Sequence, residues 1–97
     1  MSIQVLRVAG NTNINAVAEA VVEYVVANGI VHIDCIGIKA SYLTVKALVQ
    51  VTEILVNKGY RFNLKPYYVK VKIKDNNVQS VVKTAIRWTL IANEKSI

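Results

Sequence analysis

Ninety-seven residues, 54% of them hydrophobic, suit one small domain spanning residues 1–97 with a buried core, and they exclude a disordered chain. The single cysteine, Cys35, excludes a disulfide framework, and no apolar run is long enough to span a bilayer. The net charge of +6 is uneven: residues 1–57 carry three basic and four acidic side chains, residues 58–97 nine and two.

Ile3 to Ala9 is a short apolar run of strand length that ends at Gly10. Gly10-Asn11-Thr12-Asn13 is a turn rich in helix-capping residues. A helix is expected from near Asn13 to about Ala27, with Ile14, Val17, Ala18, Val21 and Val25 at helical spacing. Its valines lower helix propensity, so packing on a sheet has to hold it. Asn28-Gly29 ends it. Ile30 to Ile38 is apolar on both faces apart from His32 and Asp34, the pattern of an inner strand.

A second helix follows from about Ala40 to Asn57. Its apolar stripe is Ala40, Leu43, Ala47, Leu48, Val51, Ile54 and Leu55, and it ends in Asn57-Lys58-Gly59. Gly29 and Gly59 close two successive strand–helix units, the length of βαβ crossovers. From Tyr60 the period becomes two. Val69, Val71 and Ile73 alternate with Lys70, Lys72 and Lys74, and Thr84, Ile86, Trp88 and Leu90 alternate with Lys83, Ala85, Arg87 and Thr89. Asp75-Asn76-Asn77 is the turn between the two arms, Pro66 a bend or bulge in the first, and Asn93 to Ile97 a frayed end. The order β-α-β-α-β-β gives an α/β fold of the α+β sandwich type: a four-stranded mixed sheet with both helices on one face.

The chemistry in this pattern is electrostatic. Lys70, Lys72 and Lys74 project from one face of a strand about 6.6–6.8 Å apart. That spacing tracks a phosphate backbone, or else protects an exposed strand edge. Arg61, Lys65, Lys83 and Arg87 belong to the same hairpin. Tyr67 and Tyr68 lie among these cations, where they either stack on unpaired bases or pack on the core. The turn Gly37-Ile38-Lys39-Ala40-Ser41 opens a helix and suits an anion. His32 and Asp34 lack the third member of a catalytic set, and one His with one Cys builds no metal site. They read as a satisfied structural pair, Trp88 as core, and the chain as no enzyme with no cofactor.

Taken together, RVAGNTNINAVAEAVVEYV, GIVHIDCIGIKASYLTVKALV and TAIRWTL make the chain resemble the stage V sporulation protein S family, within the wider Alba-like group. The matching positions are Val17-Ala18, Ile36-Gly37, Ala40, Val45-Lys46-Ala47 and Thr84-Ala85-Ile86-Arg87, over roughly Leu6 to Leu90. Lys39 stands where the family turn usually has a second glycine, and the hairpin is longer and more basic. The resemblance implies an Alba-like fold, a homodimer, and nucleic acid held by the second helix's opening turn and the hairpin arms. On this chain those regions carry Lys39, Lys46 and the stretch from Lys70 to Arg87.

The expected function is non-enzymatic binding of DNA or RNA, largely independent of sequence, by a cytoplasmic protein with no membrane segment and no signal peptide. Its alternative is a regulatory protein-interaction module in a sporulation-like or developmental pathway. A small-ligand site at the Lys39 turn is the third option.

Overall fold

The computed structural model describes residues 3–74 and 80–95. Along the chain these form β1 (Val5–Val8), α1 (Ile14–Asn28), β2 (Ile30–Cys35), α2 (Ile38–Asn57), β3 (Tyr60–Lys74) and β4 (Ser80–Glu94). The strands make one mixed sheet in the order β1-β2-β4-β3, with β1 parallel to β2 and the other pairings antiparallel. Both helices lie on one face. Val31, Ile33 and Cys35 of β2 join Leu90 and Ala92 of β4 in a single core with Ala18, Val21 and Val25 of α1 and Val51 and Leu55 of α2.

Local chemistry sets the helix ends. The Asn13 side chain accepts a hydrogen bond from the Ala16 amide at 3.2 Å, which satisfies one open donor at the start of α1. Gly29 ends that helix in the left-handed region, with φ of 80°, and donates its own N–H to the Val25 carbonyl. The second helix begins at Ile38, two residues before the expected Ala40. Its cap is Gly37 at φ 89°, a conformation that glycine adopts without strain, and no side chain caps the amides. Thr44 is a core residue of α2 outside the expected stripe. Its hydroxyl donates to the Ala40 carbonyl at 2.8 Å, so burying it leaves no open polar group.

The β3–β4 ladder runs from Tyr60↔Glu94 to Lys74↔Ser80 in one unbroken register. Pro66 pairs with Trp88 inside it, so the expected bend or bulge is absent. β3 is the outer strand of the sheet, and a missing N–H on its outer side removes no ladder bond. The expected fraying also starts later: Asn93 and Glu94 belong to β4, and the Lys95 amide donates to the Gly59 carbonyl at 3.0 Å. The expected Asp75-Asn76-Asn77 turn lies outside the described residues.

The two arms differ from the rest of the sheet in one respect. β2 pairs with β4 only from Ile86 to Ile91. Beyond that point, from Val69↔Ala85 to Lys74↔Ser80, the arms form a two-stranded ribbon with no third strand. Six paired positions project about 17 Å at strand rise, which accounts for a longest dimension of 54 Å against 27 and 19 Å.

Candidate nucleic-acid interface

Alternation gives the ribbon two unlike faces. Lys70, Lys72 and Lys74 share one face with Tyr68, and all four are exposed. Thr84, Val82 and Ser80 stand opposite the three lysines on β4. The Lys70 ammonium donates to the Thr84 hydroxyl at 2.7 Å, a cross-strand bond that orients the first cation of the row. On the reverse face Val69, Val71 and Ile73 are paired with Ala85, Lys83 and Val81. The row therefore lies on the edge strand, clear of any third strand, with its aromatic member nearest the body of the fold.

The opening of α2 meets the ribbon at a shared cleft of about 540 Å³, bordered by Gly37, Ile38, Ser41, Tyr68 and Thr84. The Ser41 hydroxyl donates to the Gly37 carbonyl at 2.7 Å, and with no side-chain cap the first amides of α2 are open donors at the positive end of the helix. Tyr68 is 78% exposed and Ile38 92% exposed on the rim of this cleft. Lys39 turns the other way. Its side chain lies against Gly10, where a Cβ would stand 3.3 Å from its Cδ, so the α2 opening packs closely on the β1–α1 turn. Lys46 lies outside the cleft, with its ammonium 5.0 Å from the centre of the Tyr42 ring.

Pairing assigns the remaining expected residues to the opposite side of the sheet. Arg61, Lys65 and Tyr67 of β3 share that side with Lys83, Arg87 and Thr89 of β4. The expected cations thus divide between two faces of the hairpin. Arg87 is committed to the fold: its Nε and one terminal nitrogen donate to the two carboxylate oxygens of buried Asp34 at 2.7 and 2.9 Å. Those hydrogen bonds hold its guanidinium above its usual range. Tyr67 is anchored through its hydroxyl to Thr89 at 2.7 Å.

His32 and Asp34 do not bond to one another. The His32 Nδ1 meets the Thr89 hydroxyl at 2.8 Å, and Asp34 meets Arg87. Burial lowers the His32 pKa below its ordinary 6.5, the Arg87 charge lowers it further, and Asp34 acts in the opposite direction. Each polar group of this pair is thus satisfied from β4. Among the described residues no group of three His, Cys, Asp or Glu is placed to hold a metal ion. No helix among them is long and apolar enough to cross a membrane.

Chemically, the ribbon and cleft offer phosphate neutralisation, an aromatic surface and open backbone donors on adjoining surfaces. Sequence reasoning placed Lys70, Lys72, Lys74 and Tyr68 in one region. It also named the Gly37–Ser41 turn, but it missed Thr84, whose hydroxyl shapes the same place. Thr84 follows from its pairing with Lys70, and that register is a property of the paired strands which local pattern does not contain.

A family model described as Stage V sporulation protein S (SpoVS) matches residues 4–93. Among solved structures, Alba from Thermoplasma volcanium is similar, with a TM-score of 0.62 at 15% sequence identity. The match covers 90% of this chain and 98% of that one. No curated protein matches the sequence.

Proposed function

This chain belongs to the stage V sporulation protein S family, and on that footing we propose that it is a non-enzymatic nucleic-acid-binding protein of the cytoplasm, acting as a homodimer. The observation that carries this reading is the ribbon: Lys70, Lys72 and Lys74 stand in a row on a projecting edge, with Tyr68 between that row and the cleft at the α2 opening. Each ammonium group contacts one phosphate and releases its counterion, so binding is driven by charge and is largely indifferent to sequence. The open amides of α2 add donors for a phosphate beside Tyr68. The Alba-like fold supports the same reading by analogy only.

Electrophoretic shifts with matched single- and double-stranded DNA and RNA test it. Binding is expected at low salt, with affinity falling linearly on a log–log salt plot. Equal behaviour with a neutral polymer control at low salt overturns it.

The second reading is a regulatory module that docks an acidic protein in a sporulation-like or developmental pathway. The apolar reverse face of the ribbon, with Val69, Val71 and Ile73, favours it, because protein partners bury such surfaces and a phosphate backbone does not. Under that reading the shifts fail and an acidic protein competes for the ribbon.

A further inference from the structure

No helix covers the other side of the sheet, and the reverse face of the ribbon runs on into it. Register maps this side. Arg7, Asp34, Arg87 and Tyr67 lie in one row across β1, β2, β4 and β3, and Val5, His32, Thr89 and Lys65 in the next. Its polar centre is held in place. Tyr67 and His32 both bond to the Thr89 hydroxyl, at 2.7 and 2.8 Å, and Arg87 covers Asp34. Around that centre stand aliphatic side chains: Val5 is 46% exposed and Ile91 40% exposed, and Val69 and Val71 continue them along the ribbon.

A sheet face left to water is polar and carries charges of both signs. This one is neither. Arg7, Arg61, Lys65, Lys83 and Arg87 share it with a single described carboxylate, Asp34, which Arg87 already neutralises. The other described acids stand elsewhere. Glu19, Glu23 and Glu53 are on the helices, and Glu94 is on the helix side of β4, where it accepts from the Tyr60 hydroxyl at 3.4 Å. Arg7, Arg61, Lys65 and Lys83 pair with no described carboxylate.

Spacing selects the partner. Arg61 and Lys65 are four residues apart on one strand, about 13 Å, which is twice the step of the ribbon lysines. Lys83 lies six residues along β4 from Thr89, the register partner of Lys65, a further 20 Å or so. Arg7 is three strand spacings, about 14 Å, from β3. Cations this sparse, with aliphatic side chains between them, do not follow a phosphate chain. They suit a protein surface, where separate carboxylates alternate with apolar groups that the contact buries.

We infer that the helix-free side of the sheet docks an acidic segment of another protein, whose carboxylates meet Arg7, Arg61, Lys65 and Lys83 and whose apolar side chains cover Val5, Ile91 and Val69. This rests on the partner chemistry of the second reading above. It adds a location on the opposite side from the lysine row, so nucleic acid and the acidic partner bind at the same time.

Fluorescence anisotropy of the full chain with a labelled 16-residue peptide tests the inference. The peptide repeats Glu-Ser-Val-Ser, so when extended it presents Glu and Val in turn on one side, with carboxylates about 13 Å apart. Its counterpart with Gln in place of Glu is expected to bind at least tenfold more weakly. Two triple variants of equal net charge locate the contact. Arg61→Gln with Lys65→Gln and Lys83→Gln is expected to weaken the acidic peptide by about tenfold, with an unchanged circular dichroism spectrum because all three residues are exposed. Lys70→Gln with Lys72→Gln and Lys74→Gln is expected to leave that affinity within about twofold. No measurable binding, or Glu and Gln peptides bound alike, overturns the acidic-partner reading itself. Equal losses in the two variants, or a greater loss in the ribbon variant, overturn only this surface. Displacement of the peptide from the ribbon variant by an oligothymidylate of the same length overturns the choice of partner, because nucleic acid then occupies the same side.

Discussion

Arg87 closes over Asp34 from the neighbouring strand, with both carboxylate oxygens engaged at 2.7 and 2.9 Å and the acid only 1% exposed. The two are register partners across the β2–β4 ladder. Removing one member strands the other, and the stranded carboxylate is the costlier case. Arg87→Ala is expected to destabilise the fold by about 3 kcal/mol, the low end for a broken buried pair. The low end applies because Arg7, the register partner of Asp34 on β1, carries a second positive charge nearby. Urea denaturation is expected to show the double variant Asp34→Ala with Arg87→Ala to be more stable than Arg87→Ala alone. Equal stabilities would mean that the carboxylate is not burdened by its loss of a partner.

The ribbon lysines are expected to act on binding and not on stability. Lys70→Glu with Lys72→Glu and Lys74→Glu abolishes the gel shift while the melting temperature moves by no more than a few degrees, since all three are exposed. The milder triple change to Ala reduces the log–log salt slope by up to about 3, at roughly 0.9 for each phosphate no longer neutralised. A slope that does not change removes the row from the interface.

Tyr68 separates stacking from packing. It is 78% exposed, so Tyr68→Ala leaves thermal stability within about 0.5 kcal/mol. If bases stack on its ring, affinity for single strands falls by about tenfold and affinity for duplexes much less, because paired bases offer no free face. Fluorescence anisotropy with matched strands and duplexes measures the difference. An equal loss for both would assign Tyr68 to backbone contact.

His32 predicts the direction of a pH effect. Its folded pKa is lowered, mainly by burial and then by the charge of Arg87, with Asp34 opposing. The unfolded chain therefore takes up a proton before the folded one. Stability from this group is fully present above pH 6.5 and is lost as pH falls through 6.5 toward the lower folded value. The melting temperature is expected to decline between about pH 7.5 and 5.5, and His32→Gln, which keeps a hydrogen-bonding group near Thr89, is expected to flatten that decline. An identical decline in the variant would assign it to other groups.

Much of the architecture is legible from periodicity. Helical spacing in α1, the apolar run of β2 and the two-residue alternation of the hairpin mark six elements in the right order. Gly29 and Gly59 mark where the helices stop. The errors are informative. The second helix starts at Ile38 because Gly37 caps it with backbone alone, and no capping side chain announces that start. Pro66 suggested a bulge because its place on the outer strand depends on sheet order, which local pattern does not contain.

The site is less legible than the fold for the same reason. Alternation shows that Lys70, Lys72 and Lys74 share a face. It does not show that Arg61, Lys65, Lys83 and Arg87 lie on the other, since that follows from register across the hairpin. Arg87 looks like one more cation in a basic strand, and only its bond to a residue 53 positions earlier shows it to be neutralised.

Sheet order also bears on how the molecule is made. β4 emerges after β1, β2 and β3 during synthesis, yet it lies between β2 and β3 and supplies the hydrogen-bonding neighbour of both. Until the stretch from Ile86 to Ile91 leaves the ribosome, the nascent chain holds a two-stranded parallel fragment and an unaccompanied β3. The helices can form early, from local interactions, but closing the sheet waits for pairings between distant parts of the chain, the slow step in such topologies. During that interval the β3 arm, with Val69, Val71 and Ile73 on one face, has its alternating lysines to keep it from pairing with the arm of another nascent chain.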